Sequence, residues 1–177
     1  MNSNHPAPSG TTPLAVELRV GGSGLAGTGA CGEPYILVAE DNSGDVALIR
    51  MALTEQGVRL RMVVQPDGES AMRFLDDLDS GHLVCPALVV LDLNLPRISG
   101  REVLERLRLR DDCRHIPIVV FSSSDSARDR QSAVGLGASV YLRKPTNLED
   151  FLEVGKLFRE LLDPASGPGQ STHAHHA

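Results

Sequence analysis

The sequence predicts an α/β domain in which five parallel strands form one doubly wound sheet with helices on both faces. Two observations support this fold. Short apolar runs alternate in strict order with amphipathic segments, five times between about residues 33 and 162. Two of these runs are apolar throughout, as strands are when helices cover both faces of a sheet. Because each parallel connection needs a crossover, usually a helix, the alternation favours a parallel sheet.

Each strand and helix follows from a local pattern. The run Tyr35–Ala39 is wholly apolar and predicts a buried first strand, and residues 43–56 follow with apolar side chains at helical spacing. Residues 59–64 alternate as a strand near an edge does, and residues 69–78 form a second helical pattern. The later pairs repeat this order, with strands predicted at 87–91, 116–121 and 140–142 and helices at 101–110, 126–136 and 148–162.

Composition limits the class of protein. A chain of 177 residues with 41% hydrophobic and 23% charged residues is typical of one soluble domain with extra segments. No run approaches the roughly 18 apolar residues of a membrane-spanning helix, and the amino terminus has no continuous apolar stretch typical of a secretion signal. A formal net charge of -6 argues against direct DNA binding, because phosphate contacts need clustered Lys and Arg. We therefore expect no membrane association and no direct DNA partner.

The cysteines indicate a compartment. Cys31, Cys85 and Cys113 are an odd number without a C-x-x-C pair. This pattern favours a reducing compartment over a disulfide framework or a zinc module. We therefore expect a cytoplasmic protein without a disulfide framework.

The two ends of the chain differ in composition from the middle. Residues 1–33 and 163–177 are rich in Gly, Pro and small polar residues. Such segments cannot bury enough apolar surface to offset the entropy lost on ordering. We expect a disordered N-terminal arm, a folded unit at 34–162 and a disordered C-terminal tail.

Polar side chains follow four of the predicted strands, at the edge of a doubly wound sheet where ligands bind. They are Glu40 and Asp41 after the first strand, Asp92 after the third, Ser122 after the fourth and Lys144 after the fifth. Carboxylates gathered at one edge repel, by roughly 4 kcal/mol for two charges about 4 Å apart at an effective dielectric of about 20. They need a cation, and oxygen ligands that leave room for phosphate oxygens suit Mg2+. Lys144 opposite them would hold the remaining charge and a phosphoryl group.

Each of these residues taken singly has a plainer interpretation. Asp and Asn at strand-to-helix junctions commonly cap helices, and Asn42 or Ser43 is a suitable cap for the first helix. Suitable groups at several independent strand ends are hard to obtain by chance. The set as a whole therefore favours a metal and phosphate site.

The ordered motifs resemble the receiver domain of the two-component response-regulator family, and in particular the stand-alone regulators paired with phytochrome-type histidine kinases. The matching segments are ILVAEDNSGDVALIRMAL, LVVLDLNLPRISGREVLERLR, IPIVVFSSSDSARDRQSAVGLGASVYL and KPTNLEDFL. Ser122, Tyr141 and Lys144 lie 30, 49 and 52 residues after Asp92, which matches the family's intervals. The resemblance covers about residues 34–162 and implies the flavodoxin-like (βα)5 receiver fold.

The resemblance implies the acceptor and the metal ligands. Asp92 would accept a phosphoryl group from a histidine of a partner protein. Glu40, Asp41 and the backbone carbonyl of Asn94 would hold Mg2+ together with Asp92. The implied donor is a sensor histidine kinase, of the phytochrome type, or a histidine phosphotransfer protein.

The resemblance also implies how the phosphoryl group is read. Ser122 would hydrogen-bond one phosphoryl oxygen, Lys144 would neutralise another, and Tyr141 would be a rotating aromatic switch. Read without the family, Tyr141 is a half-buried strand aromatic with its hydroxyl at the surface. The family pattern further implies a cis peptide bond between Lys144 and Pro145. Two features depart from the commonest pattern: Ser122 replaces a Thr, and the chain is longer around residues 79–86.

Three functions fit these residues. The first is a non-enzymatic phosphoacceptor without an output domain, which signals by protein contact. The second is a small hydrolase with an Asp nucleophile, but such enzymes carry a second Asp two residues further on, where this chain has Asn94. The third is a phosphate-independent adaptor, which would leave the acids and the lysine unexplained. We therefore predict the first.

The closing helix carries more apolar residues than one stripe facing the sheet requires. The apolar positions are Phe151, Val154 and Phe158 on one side and Leu152, Leu157 and Leu161 around the rest. We expect a homodimer through the face from the fourth strand to the fifth helix. The alternative is that the apolar part of the arm, residues 14–20, covers this face.

Overall fold

Five strands and five helices alternate along residues 32–81 and 83–163, which are the residues described by the computed structural model. The strands are Tyr35–Ala39 (β1), Arg61–Gln65 (β2), Leu88–Leu91 (β3), Ile118–Ser122 (β4) and Val140–Arg143 (β5). The helices are Ser43–Glu55 (α1), Gly68–Asp79 (α2), Gly100–Arg108 (α3), Ala127–Gly135 (α4) and Leu148–Leu162 (α5). Every predicted element is present, and no element end moves by more than two residues.

The strands form one parallel sheet in the order β2-β1-β3-β4-β5. All four neighbouring pairs are parallel, so the predicted doubly wound sheet is confirmed. The direction of winding reverses between β1 and β3. In open sheets of this kind, ligands bind beyond the carboxyl ends of the strands at that reversal.

Two apolar cores lie on the two faces of the sheet. Successive side chains of a strand point to opposite faces, and β1 divides its residues accordingly. Ile36 and Val38 belong to a core shared with α1 and α5, whereas Tyr35 and Leu37 belong to a core shared with α2 and α3. α4 contributes little, because Ala133 is its one buried residue among those described.

α1 covers part of the surface of α5. A Cβ at Gly155 of α5 would overlap the carbonyl oxygen of Ala52 in α1, so the two helices approach closely only because residue 155 is glycine. Leu152 and Leu161 are partly buried against the core that includes α1. These side chains therefore do not require a second subunit to cover them. The homodimer stays a prediction.

The predicted arm and tail fall mostly outside the described residues. Residues 1–31 and 164–177 are not described, so the disorder expected there stays a prediction. None of the helices in the described part of the chain has the length and apolar character needed to cross a membrane.

A disulfide joins the sulfurs of Cys85 and Cys113. Cys85 precedes β3 and Cys113 lies between α3 and β4, so the bond sits at the amino-terminal edge of the sheet. The expectation of a chain without disulfides is therefore wrong. The two residues are 28 positions apart and share no motif, so only the packing of the strands brings them together. The cysteines no longer support a reducing compartment.

Other contacts hold both ends of this disulfide. The Tyr35 hydroxyl donates a hydrogen bond to the Val84 carbonyl beside Cys85, and burial raises the pKa of Tyr35 to about 12. The Arg108 guanidinium donates to the carbonyls of Arg114 and Ile116, at 2.9 and 3.1 Å, on the Cys113 side. Hydrogen bonds therefore hold these two segments in addition to the disulfide.

The variant Cys85→Ser tests the contribution of the disulfide. Because the bond closes a loop of 28 residues, its loss should lower the free energy of unfolding by about 3–4 kcal/mol in the absence of reductant. Urea denaturation with and without dithiothreitol measures the effect, and reductant should bring the wild type close to the variant. Cys31→Ser, which leaves the pair intact, is the control. Equal unfolding midpoints for the wild type with and without reductant would contradict the assignment.

Candidate functional site

Carboxylates from two neighbouring strands meet at the predicted edge of the sheet. Glu40 and Asp41 follow β1, and Asp92 follows β3. A carboxylate oxygen from each of the three lies within 4.8 Å of the other two. Glu40 and Asp92 are buried, with 2% and 4% of their surface exposed, while Asp41 is exposed. The structure thus brings together the three acids that the sequence singled out.

Lys144 reaches this acidic cluster from the end of β5. Its Nζ lies 2.6 Å from Asp92 Oδ2, 2.8 Å from Glu40 Oε2 and 2.9 Å from Asp45 Oδ2. An ammonium has three N–H donors. Each of them therefore has a carboxylate partner, in a site where 13% of the lysine side chain is exposed.

Asp45 was not predicted from the sequence. An acid in the first turn of a helix is an ordinary partner of the helix dipole, and Asp45 is the third residue of α1. The sequence spacing could have indicated Asp45, which lies four residues after Asp41. One helical turn after the end of a strand returns the chain to the same edge of the sheet.

The capping interpretation is correct for Asn42 and does not account for the acids. The Asn42 side chain accepts hydrogen bonds from the backbone N–H groups of Gly44 and Asp45, so it caps α1. The backbone N–H of Asn42 donates to Glu40 Oε1 at 3.1 Å. The cap of the helix therefore also orients Glu40 in the cluster.

Burial and charge act in opposite directions on the cluster. Burial raises the pKa of Glu40, even though the Lys144 ammonium beside it acts to lower that pKa. Burial alone would lower the pKa of Lys144, but hydrogen bonds to Asp92, Glu40 and Asp45 raise it above its ordinary value. Lys144 is therefore positively charged, and the cluster as a whole carries more negative than positive groups.

The cluster suits a divalent cation. Glu40 Oε2 is buried and accepts no well-aligned hydrogen bond, although Lys144 Nζ is 2.8 Å away. Asp92 Oδ1 accepts the backbone N–H of Asn94 at 2.8 Å, which fixes the plane of its carboxylate. Hard oxygen ligands with unused lone pairs are what Mg2+ and similar cations bind. The carbonyl of Asn94 as a further ligand stays a prediction.

Two hydrogen bonds join Ser122 of β4 and Tyr141 of β5 to Ser124, which lies just before α4. Ser122 ends β4 fully buried, and its hydroxyl accepts the backbone N–H of Ser124 at 3.2 Å. The Tyr141 hydroxyl donates to the carbonyl of the same Ser124 at 3.1 Å. The Tyr141 ring is 9% exposed, and the Arg130 guanidinium carbon lies 5.4 Å from its centroid. Ser122 and Tyr141 therefore share Ser124 as a neighbour.

The link between β5 and α5 differs from the expected geometry. No peptide bond in the described residues is cis, so the cis bond implied between Lys144 and Pro145 is wrong. The Lys144 ammonium nevertheless reaches Asp92 at 2.6 Å. The backbone N–H of Lys144 donates to the Ser122 carbonyl at 2.9 Å, and this strand pairing directs the side chain towards the cluster.

The loop from β3 to α3 packs tightly behind Asp92. The Gly100 N–H donates to the Leu93 carbonyl at 3.0 Å, and a Cβ at Gly100 would overlap the carbonyl oxygen of Asp92. Ser99 and Glu102 form a reciprocal capping box that begins α3 at this point. The position of Asp92 therefore depends on a glycine eight residues further along the chain.

A doubly wound sheet with acids and a lysine at its carboxyl edge defines a class of α/β domains that bind a cation and a phosphoryl group. The chain belongs to the response regulator receiver domain family, which it matches over residues 36–155. The resemblance and the flavodoxin-like receiver fold are both confirmed. The protein is a response regulator receiver domain of two-component signalling.

Two regulatory proteins are among the relatives of this chain. It is 33% identical to the response regulator Rcp1 of Synechocystis over 120 residues, 67% of this chain and 82% of that protein. It is 35% identical to a probable methanogenesis regulatory protein, FilR2 of Methanothrix harundinacea, over 67% of this chain and 77% of that protein.

Solved structures agree with these relatives. The phosphorylated cyanobacterial phytochrome response regulator RcpA is 33% identical with a TM-score of 0.68, covering 78% of this chain and 100% of that one. The Mn2+-bound form of Rcp1 is 30% identical with a TM-score of 0.67, covering 77% of this chain and 99% of that one.

The variant Gly100→Ala tests the packing behind Asp92. Because the added methyl group would overlap the Asp92 carbonyl, the loop must shift, which should lower the free energy of unfolding by about 1–3 kcal/mol and weaken Mg2+ binding severalfold. Urea denaturation and titration calorimetry measure the two effects. Gly135→Ala is the matched control, because a Cβ there meets no atom within 4 Å. A Gly100→Ala variant as stable as the wild type, with equal Mg2+ affinity, would show that the packing is unimportant.

Proposed function

We propose that this receiver accepts a phosphoryl group on Asp92 from a phosphohistidine of a sensor histidine kinase or a histidine phosphotransfer protein. The observation that carries the proposal is the Lys144 ammonium, which lies 2.6 Å from the buried Asp92 carboxylate at the edge where Glu40 and Asp41 also lie. Asp92 thus lies beside the Lys144 ammonium and beside oxygen ligands that could hold a metal ion.

The transfer needs alignment and charge neutralisation more than covalent assistance, because its transition state is loose. A carboxylate oxygen of Asp92 attacks phosphorus in line, the phosphorus–nitrogen bond breaks, and the imidazole leaves with the electron pair and takes up a proton. Lys144 neutralises charge on the phosphoryl oxygens. Mg2+ held by Glu40, Asp41, Asp92 and the Asn94 carbonyl would supply further positive charge.

The signal is the charge that the acyl phosphate adds. A phosphoryl group carries about -1.5 to -2 charge, where a single carboxylate charge stood before. It would draw the Ser122 hydroxyl from its bond with the Ser124 N–H, at 3.2 Å, towards a phosphoryl oxygen. Because Tyr141 is bonded to the carbonyl of Ser124, its ring would respond to the same movement.

α4 is the element best able to follow this movement. Among its described residues Ala133 alone is buried, whereas α3, of equal length, buries Val103, Leu104 and Leu107 as well as Gly100. A helix with few buried contacts shifts at small energetic cost. We propose that the face from β4 to α5 carries the output, and that the protein signals there by contact with other proteins.

The kind of partner follows from the relatives and from charge. RcpA is a phytochrome response regulator, which favours a phytochrome-type histidine kinase as donor. The net charge of -6 disfavours direct DNA binding. We propose the cytoplasm as the site of action, because a kinase of this kind would act there. The cysteines do not support this location, because Cys85 and Cys113 form a disulfide.

The other two functions have less support. Asn94 has no proton to give to a leaving group, and its N–H is already bonded to Asp92, so an Asp-nucleophile hydrolase lacks its general acid. A phosphate-independent adaptor would have no use for Lys144 among buried carboxylates, since an unneeded buried ion pair is costly. We therefore propose a signalling protein and not an enzyme.

The variant Asp92→Asn tests the acceptor. With Mg2+ and acetyl phosphate, the wild type should gain one phosphoryl group, seen as a mass increase of the intact protein, and Asp92→Asn should gain none. Asp111→Asn makes the same charge change on a side chain that is 99% exposed at the opposite edge, and it should be labelled normally. Labelling of the Asp92→Asn variant would overturn the acceptor assignment. Continuous release of phosphate from simple monoesters would favour the hydrolase.

The homodimer is tested on the proposed output face. Val134 of α4 and Leu148 of α5 are the large apolar residues exposed there among those described, at 55% and 50%. If they form a dimer contact, Val134→Glu and Leu148→Glu should each produce monomers in light scattering while leaving labelling of Asp92 intact. Leu109→Glu is the control, because Leu109 is 80% exposed after α3, away from this face. A wild type that stays monomeric at high concentration, phosphorylated or not, would refute the dimer.

A further inference from the structure

We infer that Asp45 is a positioning residue that competes with the phosphoryl group for the Lys144 ammonium. The inference rests on the proposed function of Asp92 and extends it to a residue outside the metal ligands. Asp45 Oδ2 lies 2.9 Å from Lys144 Nζ, and the two residues are 99 positions apart in sequence. Asp45 therefore joins the first turn of α1 to the end of β5.

Helix capping does not explain this contact. An acid at the third position of a helix often bonds back to the N–H of the cap residue. Here the Asn42 N–H donates to Glu40 Oε1, at 3.1 Å, and the Asp45 carboxylate is directed to Lys144 instead. The Asp45 side chain is 20% exposed, so most of its surface is shielded from water where it contacts Lys144.

All three N–H donors of the Lys144 ammonium already have carboxylate partners. Its three N–H groups face Glu40, Asp45 and Asp92 at 3.0, 2.9 and 2.6 Å. A phosphoryl oxygen can bind Lys144 only if one of these carboxylates releases a donor. The carboxylate that keeps its hydrogen bond to Lys144 therefore affects how readily Lys144 binds the phosphoryl group.

Asp45 is the partner that the reaction leaves unchanged. Asp92 becomes the acyl phosphate, and Glu40 belongs to the group of acids that can hold a metal ion, with Asp41 and Asp92. Asp45 is outside that group, and the reaction forms and breaks no bond to it. It therefore retains its hold on Lys144 while the phosphoryl group arrives, and its charge also repels an anionic phosphodonor.

Removal of the Asp45 charge should speed phosphorylation. At the several ångströms that separate Asp45 from the acceptor position, one charge at the partly screened edge of a protein changes a rate by about three- to tenfold. Asp45→Asn should therefore be labelled about three- to tenfold faster by acetyl phosphate at saturating Mg2+, whereas Asp45→Glu should remain close to the wild type.

The two lysines of the chain make the contact directly observable. Lys144 and Lys156 are the only lysines in the sequence, so protein labelled with carbon-13 lysine gives two side-chain NMR signals, and Lys156→Arg assigns them. Without Mg2+, Asp45→Asn should shift the Lys144 signal and leave that of Lys156, which pairs with Glu153 on the surface. Asp45→Glu should restore the position. Glu149→Gln, an equal charge change in the first turn of α5, is the control.

The outcomes separate the two proposals. An unchanged Lys144 signal in Asp45→Asn would overturn the contact, and a shifted signal with an unchanged labelling rate would overturn the competition. If neither the wild type nor Asp45→Asn is labelled, the phosphoacceptor proposal fails, and with it the competition, whatever the NMR signal shows. An equal rate increase in Glu149→Gln would reduce the effect to net charge and would also overturn the role of Asp45.

Discussion

The ion pair between Lys144 and the carboxylates of Asp92, Glu40 and Asp45 is the interaction on which the site depends. Without a counterion, carboxylates this close would repel one another. Burial would also favour their protonated forms. One ammonium, 13% exposed, keeps them together. The order of the sheet makes this geometry available, since β4 lies between β3 and β5 and sets the reach of the lysine across the edge.

The two edges of the sheet have different physical characters. The carboxyl edge holds several carboxylates with one counterion, Lys144. It also holds the buried hydroxyl of Ser122, which accepts a hydrogen bond from the backbone N–H of Ser124. The amino edge is tied by the disulfide between Cys85 and Cys113 and by the guanidinium of Arg108 on backbone carbonyls. A change of charge at one edge therefore acts against a fixed support at the other, which favours movement of loops and α4 over movement of the sheet.

Sequence patterns predicted the fold and the acids because both depend on local chemistry. The apolar run of β1 is buried throughout, and β1, β3 and β5 each carry a functional group at the residue after the strand, while Ser122 is the last residue of β4. Asp45 was missed because its partner is 99 residues away, and the pairing of Cys85 with Cys113 was missed for a similar reason. The apolar circumference of α5 was assigned to a second subunit, since the pattern cannot show that α1 covers part of it.

The light attachment of α4 has a consequence for how such a protein can diverge. Ala133 is the one buried residue of α4 in the described part of the chain, so the remaining positions of the helix contribute little to the core. Substitutions on its outer surface therefore cost little stability, and they leave the acids and Lys144 untouched. If α4 carries the output as proposed, its outer surface can change by mutation, and with it the choice of partner, without any change at Asp92 and Lys144.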